Sequence, residues 1–420
     1  MIKKTSPIAI LVICWFALLC DGYDLYVYGA TLPGFLADPS WGATKGLAGT
    51  VGSFALVGML IGSLAAGTLT DKLGRRTLML VALGTFTIGM VLCAIAPTFI
   101  MFAVFRFITC LGIGGLLPTA VAIANEAAPA GKRSLAVGAV LLGPPVGSLI
   151  GALTAGALVA THGVRPVYWI GALSVVVFIL VFLFLPDTRT LQPSSAVQSG
   201  QAVAPAKVGN NVARLFTDGH VIPTLLMWAA CLLSLLVITG ITTWLPVIMQ
   251  SAGFATGSSI GFLSIYSVGC IVGTVVLALG AQRWAPKAMV IVGFGAAALA
   301  LVGVSLTQNH VLLVLAIFVA GVGGMATQNM INDHVAQYYP VTIRATGLGW
   351  TLGVGRIGMI VGPVYGGFAA SIGGSPAAAA VWFAIPAAVG IVVAICLPRA
   401  VQSLSTAATT PATSKGSVSA

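Results

Sequence analysis

Twelve stretches of about twenty mostly apolar residues, each bounded by Pro, Gly or charge, constrain this chain more than any other feature. A helix of that length crosses the hydrocarbon core of a bilayer. It can do so because all its backbone N–H and C=O groups are satisfied within the segment, where no water is available. In the first half the stretches begin near Ile8, Leu47, Leu78, Ile100, Ser134 and Pro166; in the second, near Val221, Ser258, Ala288, Val311, Ala345 and Pro376. Composition removes the alternative of a soluble protein. Only 6% of the 420 residues are charged and 58% are hydrophobic, whereas a soluble domain carries about 25% charged residues. The run Ile8 to Leu36 is too long for the apolar core of a secretory signal, and no small-residue cleavage site follows it. It is expected to remain as the first helix.

The net charge of +11 does not point to nucleic acid, because the basic residues sit in short loops rather than on one patch. With the N-terminus inside and twelve alternating helices, 15 of the 19 Lys and Arg fall inside. Lys45 and Arg165 fall outside, and Arg106 and Arg356 lie within helices. Both termini are therefore expected in the cytoplasm.

Shifting the chain by 211 residues superimposes Gly58 on Gly269, Gly62 on Gly273, Gly112 on Gly323, Pro129 on Pro340, Arg133 on Arg344 and Gly147 on Gly358. Chance would give roughly two glycine coincidences at one offset, so the halves read as a repeat. The expected organisation is a six-helix bundle over 1–186, a polar cytoplasmic linker over 187–220, a second six-helix bundle over 221–398 and a disordered cytoplasmic tail over 399–420. All seven cysteines fall in apolar segments without metal-ligand spacing and read as free thiols. No phosphate loop, zinc spacing, catalytic triad or dinucleotide fingerprint occurs in a credible context, so an enzyme is not expected.

Two carboxylates, Asp21 and Asp24, interrupt the first apolar stretch. Each costs roughly 2.5–3.5 kcal/mol to place at bilayer depth, so both should face an interior cavity. Their i, i+3 spacing puts them on one helical face, and two carboxylates that close do not both stay ionised easily. A carboxyl that gains and loses a proton is what proton coupling needs. Arg106 and Arg356 can balance these acids or hold an anionic substrate bidentately; the sequence leaves that pairing open. Glu126 and Asp333 read equally as solvated charges or as coupling groups, and His334 as a structural residue, a relay or a substrate contact. Tyr26, Trp244 and Trp350 offer flat faces to a ring, and Gln328, Asn329 and Asn332 are polar at membrane depth.

The loop after the second helix, with Gly67, Leu69, Asp71, Lys72, Gly74, Arg75 and Arg76, resembles the signature loop of the major facilitator superfamily. That resemblance implies a twelve-helix major facilitator fold and a latch at these residues that stabilises one access state. The second-half counterpart is degenerate, with Gln282 in place of Asp71. The run Asp21-Gly22-Tyr23-Asp24 is similar to that of the aromatic acid:proton symporters, as is the stretch from Tyr339-Pro340 through Arg344-Ala345-Thr346-Gly347 and Trp350 to Arg356 and Gly358. The resemblance implies proton-driven uptake of a small aromatic carboxylate, such as benzoate or a hydroxybenzoate, by a monomer in a bacterial cytoplasmic membrane; Gln328, Asn329 and Asn332 are then expected to line the cavity and bond a ring hydroxyl. The proton gradient is then the driving force, with no cofactor, metal or nucleic-acid partner. By the same resemblance Arg106 takes part in proton transfer or pairs with an acid across the cavity, and Asp21, Asp24, Arg106 and Glu126 are the expected proton-coupling residues. Proton-coupled export of a drug or metabolite is the rival transport reading. A non-transporting membrane sensor is the rival of another class.

Overall fold

A computed structural model of the chain describes residues 6–129, 133–185, 213–217, 219–307, 309–372 and 376–398. Among these residues the structure is helical without strands, and twelve helices are long and apolar enough to cross a membrane. They are α1 (Pro7–Ala37), α2 (Lys45–Leu73), α3 (Arg75–Ile95), and α4 (Phe99–Gly114, continued as Leu116–Ala127). There follow α5 (Arg133–Val140, continued as Gly143–His162) and α6 (Arg165–Ala172, continued as Ser174–Phe184). The second half comprises α7 (Val221–Ser251), α8 (Thr256–Arg283), α9 (Pro286–Leu306), α10 (His310–Val322, continued as Met325–Tyr338), α11 (Val341–Ile372) and α12 (Pro376–Cys396). The expected boundary between first bundle and linker, at 186/187, and the tail over 399–420 lie outside the described residues, whereas at the second expected boundary, 220/221, α7 begins at Val221.

Large apolar side chains such as Ile8, Leu64, Ile88, Ile100, Leu183, Leu299 and Leu306 stand exposed around the bundle, as a lipid-facing surface requires. Between helices the packing rests on glycine, since apolar burial does not drive association in lipid but close backbone approach does. The repeat is visible contact for contact. A methyl group at Gly58 would strike the carbonyl of Phe107 and one at Gly269 that of Phe318; Gly62 meets Leu111 and Gly273 meets Val322; Gly112 meets Ala82 and Gly323 meets Gly293. Each second-half partner lies 211 residues after its first-half equivalent. Helix α4 breaks at Gly115 and α10 at Gly323-Gly324, a further shared irregularity.

The turn from α2 to α3 is made by Gly74, at φ 79°, whose N–H closes α2 on the Thr70 carbonyl at 3.0 Å. That positive φ suits glycine. Arg75 then pairs with Glu126 at the end of α4. Arg76 donates to the Phe182 carbonyl of α6 at 2.7 Å and lies over the Phe182 ring. The described contacts of both arginines thus stay inside the first half. The surroundings of Gly67 and the side chains of Asp71 and Lys72 lie outside those described.

The two halves meet most closely at the end of the bundle where α1 finishes and α2 begins. There Lys45 Nζ donates to the Ala370 carbonyl at 3.3 Å, and Ser53 Oγ donates to that of Ile360 at 2.5 Å. A methyl at Gly49 would stand 2.8 Å from the Pro363 carbonyl. Toward the opposite, linker end the equivalent glycines Gly138 of α5 and Gly349 of α11 face open space.

Candidate functional site

A cavity with an empty volume of about 660 Å³, its open side included, lies between the halves. Its charged lining comes from the first half: Asp24 on α1 and Arg106 on α4. Arg106 Nη1 donates to Asp24 Oδ1 in a salt bridge, and Nη2 donates to the Asp24 backbone carbonyl at 2.8 Å. Cys110, one turn past Arg106, donates its thiol to Asp24 Oδ2 at 3.6 Å. The pair is all but inaccessible, with Asp24 at 1% and Arg106 at 3% of their full exposure. Two charges at such depth persist because each neutralises the other. Tyr28, whose hydroxyl donates to the Ala48 carbonyl at 2.6 Å, carries Arg106 over its ring at 5.9 Å. Tyr26 also lines the cavity.

Asp21 sits three residues before Asp24, 2% exposed, with Oδ1 unpartnered among the described residues. Arg356 of α11 donates from its guanidinium to Ser63 Oγ of α2 and so joins the halves by a hydrogen bond. Asp21 and Arg356 extend the polar site along α1 and α11 beyond the lining itself.

Other expected site residues stand apart from this cavity. Trp244 is fully buried, and its indole N–H donates to the Pro363 carbonyl at 2.8 Å. Gln328 donates to Cys231 Sγ at 3.2 Å and to Asn332 Oδ1 at 3.1 Å, bonds internal to the second half. His334 is 1% exposed with both ring nitrogens unpartnered among the described residues, on the α10 turn next to Ile331 and Val335 of the second-half core. Trp350 stacks on Trp228 with ring centroids 5.8 Å apart and is 44% exposed. Glu126, with 49% of its side chain exposed, is tied to Arg75 at the linker end and does not join the aspartates. Asp333 accepts from Gln337 Nε2 at 3.0 Å, one helical turn on.

The second-half wall contains residues that sequence reasoning passed over. Thr239, Thr242 and Thr243 of α7 line the cavity with Met325 of α10 and Met359 of α11. The repeat held the signal: 211 residues before Leu235 and Thr239 stand Asp24 and Tyr28, so the α1 cavity face maps onto the α7 cavity face.

The arrangement resembles known transporters in both sequence and fold. A gentisate transporter of Corynebacterium glutamicum is 33% identical over 86% of this chain and 80% of its own length. A benzoate transport protein of Acinetobacter baylyi is 29% identical over 88% of this chain and 85% of its own. The crystal structure of a D-xylose-proton symporter superimposes with a TM-score of 0.76 at 18% identity, covering 93% of this chain and 97% of that one, and shares the fold. The Major Facilitator Superfamily model matches residues 14–355 and again 257–418. A glycine-packed, twice-repeated bundle of twelve membrane-length helices that matches this model across most of its length belongs to the major facilitator superfamily of transporters.

Proposed function

We propose that this protein takes up a small aromatic monocarboxylate across the bacterial cytoplasmic membrane in symport with protons, by alternating access. The observation that carries the proposal is the buried Arg106–Asp24 pair on the wall of a cavity between two repeated halves. The names of the gentisate and benzoate relatives support the substrate class.

The substrate carboxylate binds at Arg106, whose planar guanidinium has donors to spare: its Nε–H is unpartnered among the described residues. Asp24 holds Arg106 ionised and oriented between turnovers. Leu56, Leu235, Ile238, Met325 and Met359 give the ring an apolar slot. Asp21 is the carboxyl that binds the proton, because an ionised oxygen left unpartnered at that depth is costly and a proton removes the cost. Proton and substrate together favour the second access state through their different affinities for the two states.

The distribution of Lys and Arg supports cytoplasmic termini, which makes the end closed by Lys45, Ser53 and Gly49 the outer end and the linker end the inner one. The described state is then inward-facing, and the protein acts as a monomer. Arg75, Arg76 and Gly74, with Asp71 and Lys72, form the latch that brackets α2, α3, α4 and α6.

The test is uptake of radiolabelled benzoate and hydroxybenzoates into proteoliposomes with an alkaline lumen, after subtracting protein-free vesicles. Accumulation that collapses with the gradient is expected. Uptake that proceeds only when the gradient is reversed favours export, and no protein-dependent uptake of any aromatic acid refutes the substrate class.

A further inference from the structure

The cavity is chemically lopsided. Its charge is all on the first half, and its second-half wall offers hydroxyls in an otherwise apolar surface. The hydroxyls are Thr239, Thr242 and Thr243 of α7, spaced i, i+3 and i+4 and therefore on one helical face.

What these hydroxyls can offer a ligand follows from what they already do. A threonine hydroxyl has one proton and two acceptor lone pairs. Thr239 Oγ1 is within donating distance of the Leu235 carbonyl at 2.8 Å and the Met359 carbonyl at 2.9 Å, and its single proton is committed there. Thr242 Oγ1 donates to the Thr239 carbonyl at 3.2 Å. The proton of each is taken by backbone, so toward a ligand each hydroxyl can only accept. No hydrogen bond of the Thr243 hydroxyl to another described residue is present, so it can donate or accept. Two hydroxyls that can only accept and one that can do either are completed by a ligand group that donates as well as accepts, as a ring hydroxyl does. A carboxylate does not donate, and neither does an unsubstituted ring.

We infer that Thr239, Thr242 and Thr243 form a subsite that accepts the O–H of a ring hydroxyl, so the transporter selects hydroxylated aromatic acids over unsubstituted ones. The inference rests on the proposed carriage of an aromatic carboxylate. With the carboxylate on Arg106 of the first half, the ring spans the slot and its far edge meets α7 of the second. A hydroxylated substrate thus bonds both halves at once. An unsubstituted acid bonds one half through charge and the other only through apolar contact. Discrimination of this kind is strong when a buried polar wall would otherwise be left unpaired.

The experiment is competition against labelled 4-hydroxybenzoate uptake in proteoliposomes by unlabelled 4-hydroxybenzoate, 3-hydroxybenzoate, benzoate and 4-methoxybenzoate. The methoxy compound keeps the ring oxygen but has no proton to donate. In the wild type the hydroxylated acids are expected to compete about 3–10-fold more strongly than benzoate or 4-methoxybenzoate, the worth of about one hydrogen bond. Thr239→Val and Thr243→Val are each expected to shrink that preference while the affinity for benzoate stays within about twofold. Retention of benzoate affinity shows that the variant site is intact. Three results overturn the subsite: equal competition by 4-methoxybenzoate and 4-hydroxybenzoate, variants that keep the full preference, or variants that lose benzoate and hydroxybenzoate together. Failure of the wild type to carry any aromatic acid overturns the underlying function instead.

Discussion

Asp24→Asn removes one charge from the centre of the protein and leaves its shape. The asparagine oxygen can still accept from Arg106, and the backbone carbonyl still receives Nη2. What is lost is the counter-charge of a guanidinium that is 3% exposed. Removing one member of a buried pair costs about 3–5 kcal/mol, mostly from the uncompensated charge left behind. Because the substituted amide retains a hydrogen bond, the lower end, about 3 kcal/mol, is expected. Arg106→Gln strands Asp24 and should cost at least as much, since only the Cys110 thiol then reaches it among the contacts described. The double variant replaces two charges by two neutral amides and should lose less than either single one. Unfolding by a graded SDS titration in mixed micelles measures all four proteins. Single losses below about 1 kcal/mol, or a double loss equal to the sum of the singles, would refute the view that these charges persist only as a pair. Transport is expected to respond differently: the double variant regains stability but not uptake, because the proposed anchor of the substrate carboxylate is gone.

Three further outcomes are expected. Gly62→Leu should abolish folded protein in the membrane, since the added side chain meets the Leu111 carbonyl, whereas Gly261→Ala, with nothing within 4 Å, should express and transport normally. Glu126→Gln should change stability by less than about 1 kcal/mol, because the pair it makes with Arg75 is well exposed to solvent, and the small effect should vanish at high salt. Lys45→Ala removes a donor to the Ala370 carbonyl and should increase labelling of a cysteine introduced at the buried Ser53 by an impermeant thiol reagent applied from the side that the proposed orientation makes outer; unchanged labelling would show that Lys45 does not hold that end shut.

The twelve helices were legible because lipid enforces a minimum apolar length, and the pseudo-symmetry because glycine packing leaves an aligned trace in both halves. Asp21, Asp24 and Arg106 stood out because charge inside an apolar stretch is costly and therefore conspicuous. Which polar residue faces the shared cavity was not legible from polarity alone. Gln328, His334 and Trp244 lie at membrane depth yet point into the second half's own interior, where a bond such as Trp244 to Pro363 satisfies or simply encloses them. Thr239 was invisible for the opposite reason. A threonine that returns its proton to a carbonyl of its own helix is inexpensive in lipid, so its presence carries no signal until the repeat sets it opposite Tyr28. The contact between Arg356 and Ser63 joins residues 293 apart and follows only from the way the halves close.

The most direct test of the account separates carrying the substrate from coupling to the proton. In proteoliposomes loaded with unlabelled 4-hydroxybenzoate and no pH gradient, exchange for external labelled substrate needs both access states but no net proton movement. Asp21→Asn, which keeps the neutral form of the side chain, is predicted to exchange at a rate near the wild type and to lose accumulation driven by an alkaline lumen. Accumulation at the wild-type level in Asp21→Asn would contradict Asp21 as the proton-binding group and with it the proposed coupling.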